Sequence, residues 1–411
     1  VPRVRRIEEI MKAMIVPGIF FEEMGFRYFG PLDGHNIEIL VATLRNIAKL
    51  KGPKLLHIVT KKGKGYTSAE EDPETFHSSP RFIPQQGKII VSSQQSYTDV
   101  FSRAIVKLAR NNSKIAALTA AMCKGTGLEN FKQAFPKRFF DVGIAEQHLV
   151  SFAGGLAKQG LKPIVCLYST FMQRAYDQII EDILLQEIEA VFIVDRAGIV
   201  GEDGPTHHGL FDIACIRHLP NTVIICPKDS GELEKSLEFA VSYKGVSFIR
   251  FPKQQAWVCP KASSQKFELG KAEVLENGKD FAIIALGSMV EKVWNLKDKF
   301  HKEDVYPILI NARFARPLDA ALLKEIAART NLIFTVEEGV LEGGFGSAVL
   351  EFYQAQGMLA GLTVVRLGID SQFVTFGKRD VLLDEVGLSE NKIFSRIMQE
   401  KEKHKSQLWQ K

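Results

Sequence analysis

The stretch Asp141-Val142-Gly143-Ile144-Ala145-Glu146-Gln147-His148 joins the end of a predicted strand to the start of a predicted helix. A short apolar strand at residues 138–142 runs into Gly143, and a helix rich in Ala, Gly and Leu follows at residues 145–158. A strand, a glycine turn and a helix in succession place functional side chains at the carboxyl edge of a parallel sheet. Glu146 falls in the first helical turn, where an acidic side chain also complements the helix dipole. Position alone therefore leaves both a functional and a purely structural interpretation open.

Strands and helices alternate along the chain on both sides of this element. Short apolar runs predict strands at residues 55–60, 115–119, 163–168, 190–194, 222–226, 246–251, 281–286, 305–310, 332–336 and 362–365. Periodic runs predict helices at residues 1–14, 36–49, 99–110, 169–186, 231–243, 318–328 and 347–356. Elements of these lengths in alternation predict an α/β protein with tandem doubly wound parallel sheets.

Two polar, irregular stretches divide the chain. We predict an incomplete α/β unit at residues 1–78, a linker at 79–96, a domain at 97–262 and a final domain at 263–411. The first unit is too small to form a domain alone.

The 411 residues include 53 basic and 48 acidic side chains, which gives a net charge of +5. This balance argues against a dedicated nucleic-acid surface but leaves room for a local anion site. No apolar run reaches membrane-spanning length, and five scattered cysteines predict reduced thiols in an intracellular protein. The expected compartment is the cytoplasm, or a plastid-type organelle for a eukaryotic source. Because the chain begins with Val1, we expect a fragment or a processed product.

Aromatic and basic side chains follow one of the predicted strands. Tyr168, Phe171 and Arg174 lie just past it. Aromatic rings at this position could clamp a flat heterocycle, although Phe171 is equally consistent with the core.

Cations end other predicted strands. Arg196 is a candidate phosphate ligand because its guanidinium donates paired hydrogen bonds, and Arg250 with Lys253 also suits an anion. The basic loop at residues 61–66 has the same character, or is a solvated turn. His77 lies in a polar stretch, where a lone histidine is usually a surface residue.

Residues 198–209 form the densest polar cluster and include Asp203 and His207. Two carboxylates and two imidazoles in this loop invite a metal site, but their spacing fits no compact zinc pattern. Hydrogen bonding to a polyhydroxylated or phosphorylated substrate is the favoured functional interpretation, and a polar turn without a role is the structural one.

Several motifs together match a known family. They lie at residues 30–35, 60–66, 75–77, 139–148, 168–178, 195–209 and 337–346. On these motifs the chain resembles the 1-deoxy-D-xylulose-5-phosphate synthase family, thiamine-diphosphate enzymes related to transketolase. The resemblance implies that residues 1–78 are the end of the diphosphate-binding domain. It implies a pyrimidine-binding domain at 97–262 and a C-terminal transketolase-like domain at 263–411.

The resemblance also implies roles for individual residues. Glu146 would hydrogen-bond N1′ of the aminopyrimidine, Phe171 would stack on that ring, and Tyr66 and Lys62 would contact the cofactor. The substrate-side set would comprise His77, Tyr168, Arg174, Arg196, Asp203, His207, Arg250 and Lys253, with His77 and His207 also in the catalytic set.

The implied reaction condenses pyruvate, with loss of carbon dioxide, with D-glyceraldehyde 3-phosphate to give 1-deoxy-D-xylulose 5-phosphate. Its product would feed isoprenoid, thiamine and pyridoxal precursors. Thiamine diphosphate and Mg²⁺ are the implied cofactors, and a homodimer without nucleic-acid or membrane partners is the implied assembly.

The sequence departs from the family pattern at two points. Lys253 stands where the family has an arginine, so phosphate binding there loses a bidentate fork. The Gly-Asp-Gly…Asn motif that binds Mg²⁺ and the diphosphate is absent from these residues. We expect the metal ligands in a missing N-terminal region, and the chain alone to bind cofactor poorly and to be inactive.

Two further classes are alternatives. One is a related subunit, such as a 2-oxo acid dehydrogenase β chain or a split transketolase half. The first of these would not carry the motifs at residues 60–66 and 75–77. The other is a non-catalytic paralogue or binding module that lacks the metal motif.

Overall fold

The computed structural model of the chain describes residues 18–77, 81–90, 94–261 and 266–408. Contacts divide the chain into two units, Val1–Ser92 and Ser93–Lys411. The helix predicted at residues 1–14 lies outside the described residues. None of the helices in the described part is long and apolar enough to cross a membrane.

The first unit is built on a parallel strand pair. Its elements are α1 (Ile19–Glu23), β1 (Arg27–Asp33), α2 (Ile37–Ala48), β2 (Lys54–Val59), α3 (Thr67–Glu71), β3 (Phe82–Ile83) and β4 (Lys88–Ile89). β1 pairs with β2 in parallel, and β3 pairs with β4 in antiparallel fashion. The sequence predicts a linker at residues 79–96, but β3 and β4 lie within it. Phe82 of β3 packs its ring on those of Tyr66 and Phe76, so aromatic contacts join this strand to the rest of the first unit.

The second unit begins with a domain around the predicted glutamate element. Its elements are α4 (Tyr97–Asn111), β5 (Ile115–Thr119), α5 (Glu129–Ala134), β6 (Phe139–Asp141), α6 (Glu146–Lys158), β7 (Lys162–Tyr168), α7 (Ser169–Met172), α8 (Tyr176–Gln178), β8 (Ala190–Asp195), α9 (Asp212–Ile216), β9 (Thr222–Ile225), α10 (Ser230–Ser242) and β10 (Val246–Arg250). Short 3₁₀ turns occupy Pro136–Arg138 and Gln173–Ala175. The fully buried strands form the parallel sheet that the apolar runs predict.

The helix predicted at residues 169–186 is wrong as a single element. The structure breaks it into α7, a 3₁₀ turn, α8 and a π-helix at Ile179–Leu184. Packing against α6 accounts for the break: the Ser151 hydroxyl of α6 donates a hydrogen bond to Asp182, and Gly154 leaves room for the Asp182 carbonyl. Such π-turns are frequent at functional sites.

The second unit ends with another α/β layer. Its elements are β11 (Glu273–Glu276), β12 (Ala282–Ala285), α11 (Met289–Asn295), α12 (Lys297–Lys302), β13 (Ile308–Asn311), β14 (Phe314–Arg316), α13 (Ala320–Arg329), β15 (Leu332–Val340), α14 (Phe345–Ala355), β16 (Thr363–Ile369), α15 (Arg379–Glu385) and α16 (Glu390–Leu408). The five-stranded sheet has the order β11-β13-β12-β15-β16, with β11 antiparallel to β13.

One strand crosses between the two layers of this unit. The seven-stranded sheet has the order β14-β9-β10-β8-β7-β5-β6, so β14 from the C-terminal layer forms an edge of the preceding sheet. It pairs with β9 in antiparallel fashion. Beside β14, the buried guanidinium of Arg313 lies 2.7 Å from Glu232 of α10 and 3.3 Å from Glu273 of β11. Strand pairing and buried charge pairs therefore join the two layers, and the predicted α/β class is confirmed.

Candidate active site

The candidate site lies at the carboxyl edge of the seven-stranded sheet. Tyr168 and Asp195 are register partners at the ends of β7 and β8, and Arg250 ends β10 beside Val194. Open α/β sheets build ligand crevices at this edge, because loops and helix starts from several strands converge there. The fold therefore brings together most of the residues that the sequence singles out in this unit.

Glu146 is held by a strand, a glycine turn and a helix. Asp141 at the end of β6 accepts hydrogen bonds from the Gly143 N–H at 3.0 Å and from the Ala121 N–H at 2.8 Å. Gly143 has a φ of +72°, a left-handed conformation that favours glycine. This turn starts α6 directly at Glu146, whose side chain is only 2% exposed.

One oxygen of this buried carboxylate is without a hydrogen bond. Glu146 Oε2 lacks any hydrogen-bond partner among the described residues, and its nearest charged neighbour is Arg174 Nε at 3.3 Å. Buried carboxylate oxygens are normally hydrogen-bonded, so an orphaned one indicates a ligand that donates to it. Arg174 itself is half exposed.

Phe171 forms an aromatic wall with two neighbours. Its ring stacks on Tyr168 with centroids 5.8 Å apart and meets His207 edge-on at 5.4 Å. The side chain is partly exposed, although Met172 beside it is buried. The structure therefore places Phe171 at the margin of the core, with its ring among the candidate substrate-side residues.

Tyr168 is contacted by Arg196 over its ring and by Gly125 beside its hydroxyl. Burial raises the pKa of Tyr168 to about 12, so the phenol keeps its proton near neutral pH. The Arg196 guanidinium lies 3.9 Å above the ring, a cation–π arrangement. Any side chain at Gly125 would collide with the Tyr168 hydroxyl, so the loop after β5 approaches it closely only because it carries glycine.

Arg196 adopts a strained backbone conformation that Asp195 supports. Its φ is +57°, which is uncommon for a residue other than glycine. The Arg196 N–H donates to Asp195 Oδ1 at 2.6 Å, and the Thr98 hydroxyl donates to Asp195 Oδ2 at 2.9 Å. Burial raises the pKa of Asp195 to about 6.

Asp203 joins two of the predicted phosphate ligands. Its Oδ2 lies 3.0 Å from Arg196 Nη1 and 2.7 Å from Lys253 Nζ. Partial burial alone would raise the pKa of Asp203, but the hydrogen bond from Lys253 and the charge of Arg196 outweigh it and lower that pKa. Two cations thus share the Asp203 carboxylate.

His207 is a neutral imidazole at neutral pH. Partial burial lowers its pKa against the opposing charge of Asp203, and Arg196 and Lys253 lower it further. Its Nδ1 lies 2.9 Å from the Thr206 hydroxyl. A neutral ring can donate or accept a hydrogen bond at this position.

Arg250 makes several hydrogen bonds inside the protein. It is buried, with Nε 2.8 Å from Asp212 Oδ2 and Nη2 2.6 Å from the Glu338 carbonyl oxygen. The guanidinium also donates to the Gly209 carbonyl. These contacts join the base of the polar loop to β15. Arg250 therefore has a packing role that the sequence does not predict.

The remaining candidates lie in the first unit. The Tyr66 hydroxyl donates to the Pro84 carbonyl at 2.8 Å, and Lys62 and His77 are exposed. Their roles toward cofactor and substrate remain expectations from the resemblance.

The sequence analysis does not assign a role to four residues that hold the site in place: Asp195, His208, Glu338 and Arg379. Asp195 and Glu338 have a weak sequence signal, since each is an acidic residue at or near the end of an apolar strand. Their contacts depend on loop paths and on distant segments that meet only in the folded chain.

No group of three or more His, Cys, Asp or Glu side chains in the described ranges is arranged to hold a metal ion. In the polar loop, Asp203 is paired with cations instead.

Family models match three segments of the chain. Residues 93–257 match the model described as "Transketolase, pyrimidine binding domain", and residues 270–393 match "Transketolase, C-terminal domain". Residues 1–60 match the model described as "1-deoxy-D-xylulose-5-phosphate synthase". A solved structure described as a split gene transketolase, inactive beta4 tetramer, is 29% identical, with a TM-score of 0.66 over 75% of this chain and 98% of that one. Fold and site thus define a protein of the transketolase class.

Curated relatives narrow the class. The 1-deoxy-D-xylulose-5-phosphate synthase of Syntrophus aciditrophicus is 49% identical over 90% of this chain and 57% of the relative. The enzyme of that name from Aquifex aeolicus is 46% identical over 93% of this chain and 60% of the relative. The chain belongs to the 1-deoxy-D-xylulose-5-phosphate synthase family. It spans about three fifths of the length of these curated relatives.

Proposed function

We propose that this chain carries the pyrimidine side of a thiamine-diphosphate site that makes 1-deoxy-D-xylulose 5-phosphate from pyruvate and D-glyceraldehyde 3-phosphate. The buried Glu146 oxygen without a hydrogen bond carries the proposal. It fits a ligand with a basic ring nitrogen that can share a proton with the carboxylate, and N1′ of the aminopyrimidine of thiamine is such a nitrogen. Family membership supports the substrate pair.

The residues present fit one end of this cofactor. Glu146 and Phe171 would hold the aminopyrimidine, and Tyr66 and Lys62 of the first unit are proposed contacts for the rest. When bound, thiamine diphosphate supplies the carbon nucleophile that lets pyruvate lose carbon dioxide. Mg²⁺ is the proposed counter-ion of the diphosphate.

Glu146 holds and moves a proton in this proposal. Its Oε2 would share a proton with the pyrimidine ring nitrogen when the cofactor is bound, and the buried position would keep water from competing for that hydrogen bond. The half-exposed Arg174 guanidinium is suited to the pyruvate carboxylate, since its fork matches paired oxygens.

The two cations that share Asp203 are suited to the aldehyde phosphate. Arg196 and Lys253 would bind its oxygens, while Asp203 keeps both cations aimed at the same point. His207 and Tyr168 would hydrogen-bond the carbonyl and hydroxyl groups, because both are uncharged near neutral pH. His77 is proposed as a further catalytic residue from the first unit.

The proposal extends to the compartment, the assembly and the domain boundaries of the protein. We propose a cytoplasmic homodimer whose product serves isoprenoid, thiamine and pyridoxal precursors. The domain boundaries proposed above accompany it: 1–78, 79–96, 97–262 and 263–411. A 2-oxo acid dehydrogenase subunit, a split transketolase half or a non-catalytic paralogue is not favoured, because the curated relatives are named 1-deoxy-D-xylulose-5-phosphate synthase.

The test is an assay of this chain fused behind the amino-terminal region that the Syntrophus aciditrophicus relative carries. The fusion, given thiamine diphosphate and Mg²⁺, should form 1-deoxy-D-xylulose 5-phosphate, followed by ¹³C NMR from labelled pyruvate. Glu146→Ala should lower the rate by about a hundredfold or more. Exposed Lys158→Ala, at the far end of α6, is the matched control and should keep full activity. Product formation that survives Glu146→Ala would contradict the proposal.

A further inference from the structure

The polar loop of residues 198–209, here called the substrate loop, is held from the C-terminal layer. Its own base is closed by reciprocal hydrogen bonds between Gly198 and Gly209 at 2.7 and 2.8 Å. The residues of proposed function, Asp203 and His207, lie between these ends. Ile199, Gly201 and His208 of the loop contact residues from β15 onward.

Glu338 of β15 is the main contact. This carboxylate is 2% exposed, and its Oε1 accepts the Ile199 N–H at 2.7 Å. Its Oε2 accepts the Ser288 hydroxyl at 2.7 Å. Gly198 has a φ of +76°, and any side chain there would collide with the Glu338 carboxylate. The loop backbone at Gly198 therefore lies directly against the buried Glu338 carboxylate.

Arg379 completes a clamp around the start of the loop. Its Nη1 and Nη2 donate to the two Glu338 oxygens at 2.7 and 2.8 Å, and Nη1 also donates to the Ile199 carbonyl at 3.3 Å. Ile199 thus gives its N–H to the carboxylate and its C=O to the guanidinium. Burial alone would raise the pKa of Glu338, but the charge of Arg379 outweighs it and lowers that pKa.

A second pair of contacts holds the end of the loop. His208 Nδ1 accepts the Val200 N–H at 3.0 Å, which leaves the ring proton on Nε2 to donate to the Thr375 carbonyl at 2.9 Å. Gly377 N–H lies 3.5 Å from the Gly201 carbonyl oxygen. Both sides of the Asp203–His207 segment are thereby anchored to residues 375–379.

We propose that Glu338 and Arg379 are positioning residues, and that the C-terminal layer serves the reaction by clamping the substrate loop. The inference rests on the proposed function for the loop's role in binding the aldehyde phosphate. A buried carboxylate that accepts a loop N–H and pairs with a bidentate arginine makes one loop conformation strongly preferred. Asp203 and His207 then meet a phosphorylated substrate in a fixed arrangement, which lowers the cost of ordering the loop on binding.

Hydrogen exchange tests the clamp directly. In Glu338→Gln and in Arg379→Ala, amides of residues 199–208 should exchange roughly tenfold to a hundredfold faster than in the wild type. Arg379→Lys keeps the charge but loses the bidentate fork, so its exchange rates should lie between those of the wild type and those of Arg379→Ala. Arg366→Lys is the matched control: this half-buried arginine of β16 donates to the Leu341 carbonyl and to Ser347, away from the loop.

Affinity for glyceraldehyde 3-phosphate, measured by calorimetry on the same proteins, gives a second readout. It should fall about three- to tenfold in Glu338→Gln and Arg379→Ala and stay unchanged in Arg366→Lys. Unchanged loop exchange in both clamp variants, or equal acceleration in Arg366→Lys, would overturn the clamp. A wild-type chain that does not bind the aldehyde phosphate would instead count against the proposed function, while loop exchange still decides the clamp.

Discussion

Arg174 Nε lies 3.3 Å from Glu146 Oε2, yet this buried oxygen accepts no hydrogen bond from the described residues. The arginine compensates the charge of the carboxylate without using its acceptor capacity. A ligand that donates a proton can therefore bind Glu146 while Arg174 remains available to an anionic substrate. This pair links the cofactor side and the pyruvate side of the proposed site.

Replacement of Arg174 should affect pyruvate selectively. In the fusion described above, Arg174→Ala should raise the KM for pyruvate about tenfold or more, because a charged hydrogen-bond partner of its carboxylate is lost. The KM for glyceraldehyde 3-phosphate should change little. Exposed Arg110→Ala at the end of α4 is the control. Equal losses for both substrates would argue against a carboxylate-binding role.

Lys253 offers a gain-of-affinity prediction. Lys253→Arg restores the family residue and a bidentate fork, so binding of glyceraldehyde 3-phosphate should tighten about three- to tenfold. Lys253→Met should weaken it about tenfold and leave Asp203 paired with Arg196 alone. Calorimetric titration of the three proteins decides the matter. An unchanged affinity in both variants would remove Lys253 from the phosphate site.

Asp195 gives the protein a pH-dependent stability. Burial raises its pKa from 3.8 to about 6, so the folded chain keeps this proton at pH values where the unfolded chain has lost it. The resulting stability is fully present below about pH 4 and is lost as the pH rises through about 6; it amounts to roughly 3 kcal/mol.

The neutral variant Asp195→Asn should lack this dependence. Its free energy of unfolding, relative to the wild type, should increase by up to roughly 3 kcal/mol between about pH 4 and about pH 7. Urea unfolding at the two pH values measures the difference. A variant whose relative stability is the same at both would show that Asp195 does not titrate in this range.

Sequence patterns suffice for the α/β class and for the strand–glycine–helix element that carries Glu146, because apolar strands with a following glycine and helix have strong local signals. The role of Glu146 remains a prediction from the family resemblance. They also place Tyr168, Phe171 and Arg196 at one sheet edge. They fail where tertiary contacts override local preference, as in the π-turn at Ile179–Leu184 and in the crossing strand β14.

The sequence does not reveal the contacts of Arg250 and Arg379, because their partners lie far away in the chain. Arg250 is predicted as an anion ligand from its position at the end of β10, and the sequence does not reveal that its Nε and Nη2 donate to Asp212 and the Glu338 backbone. The anion-binding role remains a prediction. Arg379 has no local signal, since its partner Glu338 lies on another element. Such pairings arise only when strands and loops are packed.

The central claim, that Glu146 receives the aminopyrimidine of thiamine, is tested most directly by saturation-transfer NMR of this chain with 4-amino-5-hydroxymethyl-2-methylpyrimidine. The fragment needs neither Mg²⁺ nor a diphosphate contact. The wild type should transfer saturation to the pyrimidine methyl group. Glu146→Ala should abolish the transfer, and exposed Lys158→Ala should retain it. Equal transfer in wild type and Glu146→Ala, or no transfer to the wild type, would contradict the account.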